Sequence, residues 1–112
     1  MRELTIGIDI GGTNTKYGIV DRAGQVVYQG SIKTAQFEDF RDYFKGLTLA
    51  LRDAIGKIPG EQRILGVGVG AANGNYYKGT IERATNLPWK GIIPLADMLK
   101  EEFQIPAIIT ND

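Results

Sequence analysis

The chain has 112 residues, enough for one domain with a real core but short for an enzyme with a two-substrate cleft. Thirteen basic residues balance thirteen acidic ones, which leaves no surplus charge for a general nucleic-acid or membrane-surface role. Cysteine and histidine are both absent, so disulfides, thiolate chemistry, Cys/His metal sites and imidazole catalysis are excluded, and carboxylates must carry any acid-base work.

Strands come first. Leu4 to Ile10 alternates and is rich in Ile, Lys16 to Val20 resumes the pattern after a glycine turn, and Val26 to Ile32 follows a turn at Arg22 to Gly24. From Phe37 the period changes. Phe37, Phe40, Phe44, Leu47, Leu51, Ala54 and Ile58 recur in steps of three and four, which predicts an amphipathic helix that Pro59 and Gly60 stop. Ile64 to Val69 reads as a buried strand, and Tyr76 to Arg83 as a small hairpin around Lys78 and Gly79. A second helix is predicted from Pro94, with Leu95, Met98, Leu99 and Phe103 inward, ended by Pro106 before a last strand at Ala107 to Thr110.

The order βββαβ, hairpin, αβ predicts an α/β domain: a mixed sheet with helices on its faces and ligands beyond the carboxyl ends of its strands. No internal repeat or linker interrupts it. No apolar run approaches the ~20 residues that a membrane span requires, and Arg2 and Glu3 lead directly into strand-like sequence. A soluble cytoplasmic protein is expected, with no membrane or nucleic-acid partner.

Two features sit at strand ends. The first is the turn after Ile10. Gly11 and Gly12 permit close approaches, so their amides can converge on a phosphate, while Thr13, Asn14 and Thr15 add short donors and Lys16 adds charge. Asp9, at the end of the first strand, would repel a phosphate unless a cation lay between them, and magnesium held through water reconciles the two. The same residues also fit a tight hairpin with a solvated aspartate. Gly66, Gly68 and Ala71 match the letters G-x-G-x-x-A, but Asn73-Gly74 signals a turn where a dinucleotide motif demands a helix.

The second feature is "IPAIITND". Asn111 can donate and accept, and Asp112 accepts when ionised, a pair suited to a polyol whose attacking hydroxyl gives its proton to the carboxylate. In isolation a plain polar turn after a strand accounts for it better, and only its combination with the first turn shifts that reading.

Together the motifs resemble a known family. "DIGGTNTKYGIVD" is similar to the first phosphate motif of the actin-like sugar kinases, and specifically of the ROK family (repressor, open reading frame, kinase) of glucokinase-like proteins. The resemblance continues through "GVGVGAANG" and "GTIERATNLPWKGIIPLADMLKEEFQIPAIITND", and so covers essentially the whole chain. It implies that residues 1–112 are the ribonuclease-H-like N-terminal domain of a two-domain, ATP-dependent hexose kinase, whose second domain is not present. By matching positions, Asp9 would hold the magnesium shell, and Gly11, Gly12 and Thr13 would face the ATP phosphates, with Asn14 and Lys16 beside them. Asn86 and Asn111 would contact sugar hydroxyls, and Asp112 would be the catalytic base. Pro88 and Trp89 would pack the intervening loop, the alternative being an aromatic stacked on a pyranose.

Glucose is the leading substrate by the same resemblance, a sugar 6-phosphate the product and a homo-oligomer the expected state of the full-length enzyme, these residues alone being inactive. Two departures stand out: Ala72 where relatives often carry proline, and Asn14 where many carry lysine, with Lys16 on the same strand face as its substitute. A sugar-responsive regulator shares the fold but carries a helix-turn-helix ahead of it, whereas here a strand begins three residues after Met1. A non-kinase actin-like protein would share the first turn without "NLPW" and the terminal "ND", and an interaction module is the third alternative.

Overall fold

In the computed structural model of the chain, which describes residues 1–84 and 86–111, three antiparallel strands form as the alternation predicts. They are β1 (Arg2–Ile10), β2 (Asn14–Asp21) and β3 (Val26–Lys33). Leu4, Ile6, Ile8 and Ile10 of β1 are all buried, while Thr5, Gly7 and Asp9 between them are exposed, because successive side chains leave a strand on opposite faces. The Asp21 carboxylate organises the β2–β3 turn by accepting from the amides of Ala23 and Gln25 at 2.9 and 3.0 Å. The Gln25 bond foremost, with those from Ala23 and Arg2, holds this carboxyl below its ordinary range.

After a short 3-10 turn at Thr34–Gln36 comes α1 (Phe40–Lys57). It starts three residues later than the aromatic stripe predicts because Asp39 caps it, accepting from the Arg41 amide at 2.7 Å. Tyr43, Leu47, Thr48, Leu51 and Ala54 are buried, with Phe40 and Phe44 half-buried at the margin, so Tyr43 and not a phenylalanine centres the first turn. Ile58 leaves the helix in extended geometry, as the residue before a proline does.

β4 (Gln62–Ala71) returns parallel to β1, and β8 (Ala107–Asn111) lies parallel to β4, giving the sheet order β3-β2-β1-β4-β8. Leu65 is an extra residue, taken up as a bulge where Leu4 pairs with Ile64 and Thr5 with Gly66. Gly66, Gly68 and Ala71 all lie within β4, so the dinucleotide pattern has neither its loop nor its helix.

The predicted hairpin is displaced. Its strands are β5 (Gly74–Asn75) and β6 (Thr80–Glu82), with Tyr76 and Tyr77 in the exposed turn, and a third strand, β7 (Ile92–Ile93), joins β6. Within it Glu82 accepts from the Thr80 hydroxyl at 2.7 Å and the Asn75 amide at 3.1 Å. α2 (Leu95–Phe103) buries Leu95, Ala96 and Leu99, with Met98 and Phe103 half-buried. Pro94 precedes its first turn, and Gln104, in the left-handed region at φ 56°, ends it before Pro106 is reached.

The buried residues of both helices and of the sheet form one cluster, so the core lies on a single face of the sheet. Across the other face Gly18, Gly7 and Gly68 sit side by side on β2, β1 and β4, and a β-carbon on Gly7 or Gly68 would meet nothing within 4 Å. No helix among the described residues is long and apolar enough to cross a membrane.

A β-carbon on Gly74 would lie 2.5 Å from the Thr110 carbonyl oxygen, whereas one on Gly56, on the exposed side of α1, would meet nothing. Gly74→Ala is therefore expected to cost about 1–3 kcal/mol by overpacking. Gly56→Ala is expected to add up to about 1 kcal/mol through helix propensity. Urea unfolding midpoints at constant m-value check both. The Glu82 carboxyl is held below its ordinary 4.5, chiefly by the Thr80 hydroxyl. Its contribution is thus complete above the unfolded value and lost as pH falls through the folded one. Glu82→Gln should flatten the acid limb of the stability curve below that value, as measured by denaturation at stepped pH.

Candidate functional site

Three parallel strands end on one line. The register pairs Ile10 of β1 with Ala71 of β4 and Ala71 with Asn111 of β8. Neighbouring strands lie about 4.8 Å apart, so the ends of β1 and β8 are separated by about 10 Å. The turn after β1, the loop after β4 and the end of β8 consequently share one edge of the sheet, the carboxyl edge at which such sheets receive ligands.

The β1–β2 turn spans residues 11 to 13, and the Gly11 amide donates across it to the Asn14 carbonyl at 3.0 Å. Both glycines have a reason inside the fold. A β-carbon on Gly11 would come within 2.9 Å of that carbonyl oxygen, and one on Gly12 within 2.5 Å of the Asn86 carbonyl oxygen. Gly12 is thus the point at which the turn touches the loop carrying Asn86. Thr13 is exposed, and its carbonyl accepts from the Ala35 amide at 3.4 Å. Thr15 is not a ligand donor as expected: it is the second residue of β2, and strand alternation turns it into the core, where it is fully buried.

Asp9, Asn14 and Lys16 share the open face. Asp9 is paired directly opposite Lys16, both exposed, and no ion pair joins them among the described residues. They border an open depression of about 480 Å³ floored by Gly7, Gly18 and Gly68. No cluster of three carboxylates occurs among the described residues. A single accessible carboxylate fits a magnesium ion that arrives with phosphate and keeps its waters, and does not fit an all-protein cage.

At the far end of the edge, Asn111 is exposed and its side-chain carbonyl accepts from the Asn73 amide at 3.1 Å. The sequence marks Asn73, with Gly74, as a turn. Asn73 occupies the left-handed region at φ 59°, and its side-chain amide donates to the carbonyls of Glu82 and Arg83 at 3.1 and 3.2 Å. One asparagine thereby ties the ends of β4, β6 and β8 together. Asn86 is exposed on the loop after β6, while Asp112, the expected base, lies outside the described residues. Trp89 is buried, as the packing role requires: its ring stands 4.2 Å from Tyr43 and 5.1 Å from Phe40, and its indole N–H donates to the Phe37 carbonyl at 3.1 Å. Such burial excludes stacking on a sugar.

Beneath the turn lies a group that sequence reasoning missed. The Tyr43 hydroxyl is 2.8 Å from Thr15 Oγ1, which is 2.7 Å from Thr34 Oγ1, all three residues being buried. Burial pushes the Tyr43 phenol far above its ordinary range, outweighing the bond to Thr15, so it stays protonated.

Comparison with known proteins assigns the chain a family and a fold. The chain is 32% identical to the glucokinase of Halalkalibacterium halodurans, over 96% of this chain and 33% of that protein. It spans about a third of the length of the curated relatives it matches. Among solved structures it resembles a ROK family glucokinase from Streptomyces griseus in complex with glucose and AMPPNP, with a TM-score of 0.69 and 29% identity over 96% of this chain and 33% of that one. A ROK family transcriptional regulator, a homolog of the E. coli MLC protein, gives a TM-score of 0.80 over 98% of this chain and 28% of its own, but at 11% identity the likeness is one of fold alone. The model of the ROK family matches residues 5–112. With its mixed α/β sheet and a family match over nearly every residue, the chain belongs to the ROK family.

Proposed function

We propose that the complete protein transfers the terminal phosphate of ATP to a hexose, glucose foremost, and that residues 1–112 are its N-terminal domain. The observation that carries this reading is the shared edge of β1, β4 and β8, which brings the glycine turn and Asn111 together in a chain of this family. Phosphoryl transfer asks a protein mainly for positioning and charge neutralisation. Gly12 and Thr13 would offer amides and a hydroxyl to the phosphates, while Gly11, whose amide is committed within the turn, shapes it. Asn14 and Lys16 add a donor and a charge on the same face. Asp9 would hold a magnesium ion through water, and that ion supplies neutralisation of the phosphate charge.

On the sugar side, Asn111 has its acceptor engaged by Asn73 and would use its amide N–H groups on a sugar hydroxyl, with Asn86 holding another. Asp112 would take the proton of the primary hydroxyl as its oxygen attacks phosphorus and ADP leaves. The remainder of the protein would close over this wall and grip the adenosine, so these residues alone are expected to be inactive. A relative named as a xylose repressor, from Caldicellulosiruptor and 29% identical over 97% of this chain and 28% of its own length, supports a second reading, in which the sugar is bound without turnover.

In the complete protein, Asp112→Asn is expected to lower kcat by about 10²–10⁴-fold with hexose affinity essentially unchanged. ADP release and titration calorimetry measure the two. Near-normal turnover in the variant removes Asp112 from the base role, and hexose binding with no turnover by the wild type favours the regulator.

A further inference from the structure

We infer that Tyr43 is a positioning residue that couples the Gly11–Thr13 turn to the loop carrying Asn86 and Trp89, which rests on the phosphotransfer reading and adds cooperation between its two ligands. One side chain serves both loops. Its hydroxyl reaches Thr15, two residues beyond the turn, and through it Thr34, while the next residue, Ala35, donates its amide to the turn's own Thr13 carbonyl. Its ring packs on Trp89 at 4.2 Å, and Trp89 is anchored in turn to the Phe37 carbonyl. Above this post the loops meet directly, where the Asn86 carbonyl fills the space that a side chain on Gly12 would need.

A shift of the Asn86 loop towards the turn on binding a hexose presses on the Gly12 backbone, because the space between them is too small for a methyl group. The buried hydroxyl chain resists from below, since breaking it strands polar groups in a low-dielectric interior. A ligand on either loop therefore orders the other and reduces what the second ligand must organise. The hydroxyl is separable from the packing: phenylalanine keeps the ring against Trp89 and removes only the link to Thr15.

The test is a set of calorimetric cycles on the complete protein, measuring the Kd of glucose with and without the magnesium complex of a non-hydrolysable ATP analogue. Wild type is expected to bind glucose at least about fivefold more tightly when the analogue is present. In Tyr43→Phe and in Thr15→Val, which cut the same link from opposite ends, that ratio should fall towards one while each ligand alone still binds. Thr15→Ser, which keeps the hydroxyl, should restore it. In turnover, KM for glucose should lose its dependence on nucleotide concentration, a change that general loosening of the core does not produce. A wild-type ratio of one with both ligands binding overturns the coupling alone, and an unchanged ratio in both cut variants overturns the role of Tyr43. Failure of wild type to bind either ligand overturns the phosphotransfer reading and the coupling with it.

Discussion

The parallel register that sets Ile10 beside Ala71 and Ala71 beside Asn111 is the constraint on which the candidate site depends, because it ends three strands on one line. Side-chain alternation enforces it. A slip of one residue in β1 would drive Thr5, Gly7 and Asp9 into the core and expel Leu4, Ile6, Ile8 and Ile10, at a cost no local rearrangement could offset. The bulge at Leu65 corrects the phase of β4, so that Val67, Val69 and Ala71 fall on the same face as the β1 isoleucines. Each loop then inherits its position from the strand before it.

What holds the loops beyond those strand ends is mostly backbone contact. Asn73 uses its left-handed geometry to join β4 to β6 and β8, and Gly74 lets β5 come against the Thr110 carbonyl. Gly12 does the same for the Asn86 loop. Three connections that look independent along the chain are thereby fused into one surface, with Tyr43 and Trp89 as its buried support.

This explains which parts were legible in the sequence. β1 to β3 and α1 carry long, clean periods, and their burial follows from alternation or from the helical repeat. β5 and β7, at two residues each, are too short to carry a period at all. Tyr43 escaped notice because its hydroxyl breaks the apolar stripe, and only the distant Thr15 makes its burial affordable. The glycines of the opening turn were read for a phosphate, while their steric necessity comes from Asn14 and from Asn86, a partner far along the chain. Long-range partners of this kind leave no mark on the local pattern. The placing of Asn14 and Lys16 on one strand face was readable, since it needs only the period of two, whereas the pairing of Lys16 with Asp9 is given by the register.

With the glycines explained by packing, the case for a phosphate at this turn shifts to charge. The chain as a whole is neutral, so no general field draws an anion to it. Asp9 and Lys16 instead face each other across adjacent strands at the border of one depression, without an ion pair between them. A bare phosphate would gain from Lys16 what it lost to Asp9. A phosphate bringing its own divalent cation would, under the phosphotransfer reading, meet both demands, with Asp9 holding the cation through water and Lys16 and the turn amides taking the anionic charge. Under the phosphotransfer reading, this opposed pair discriminates a metal-bound nucleotide from free inorganic anions, and it does so through strand pairing that the hydrophobic core has already fixed.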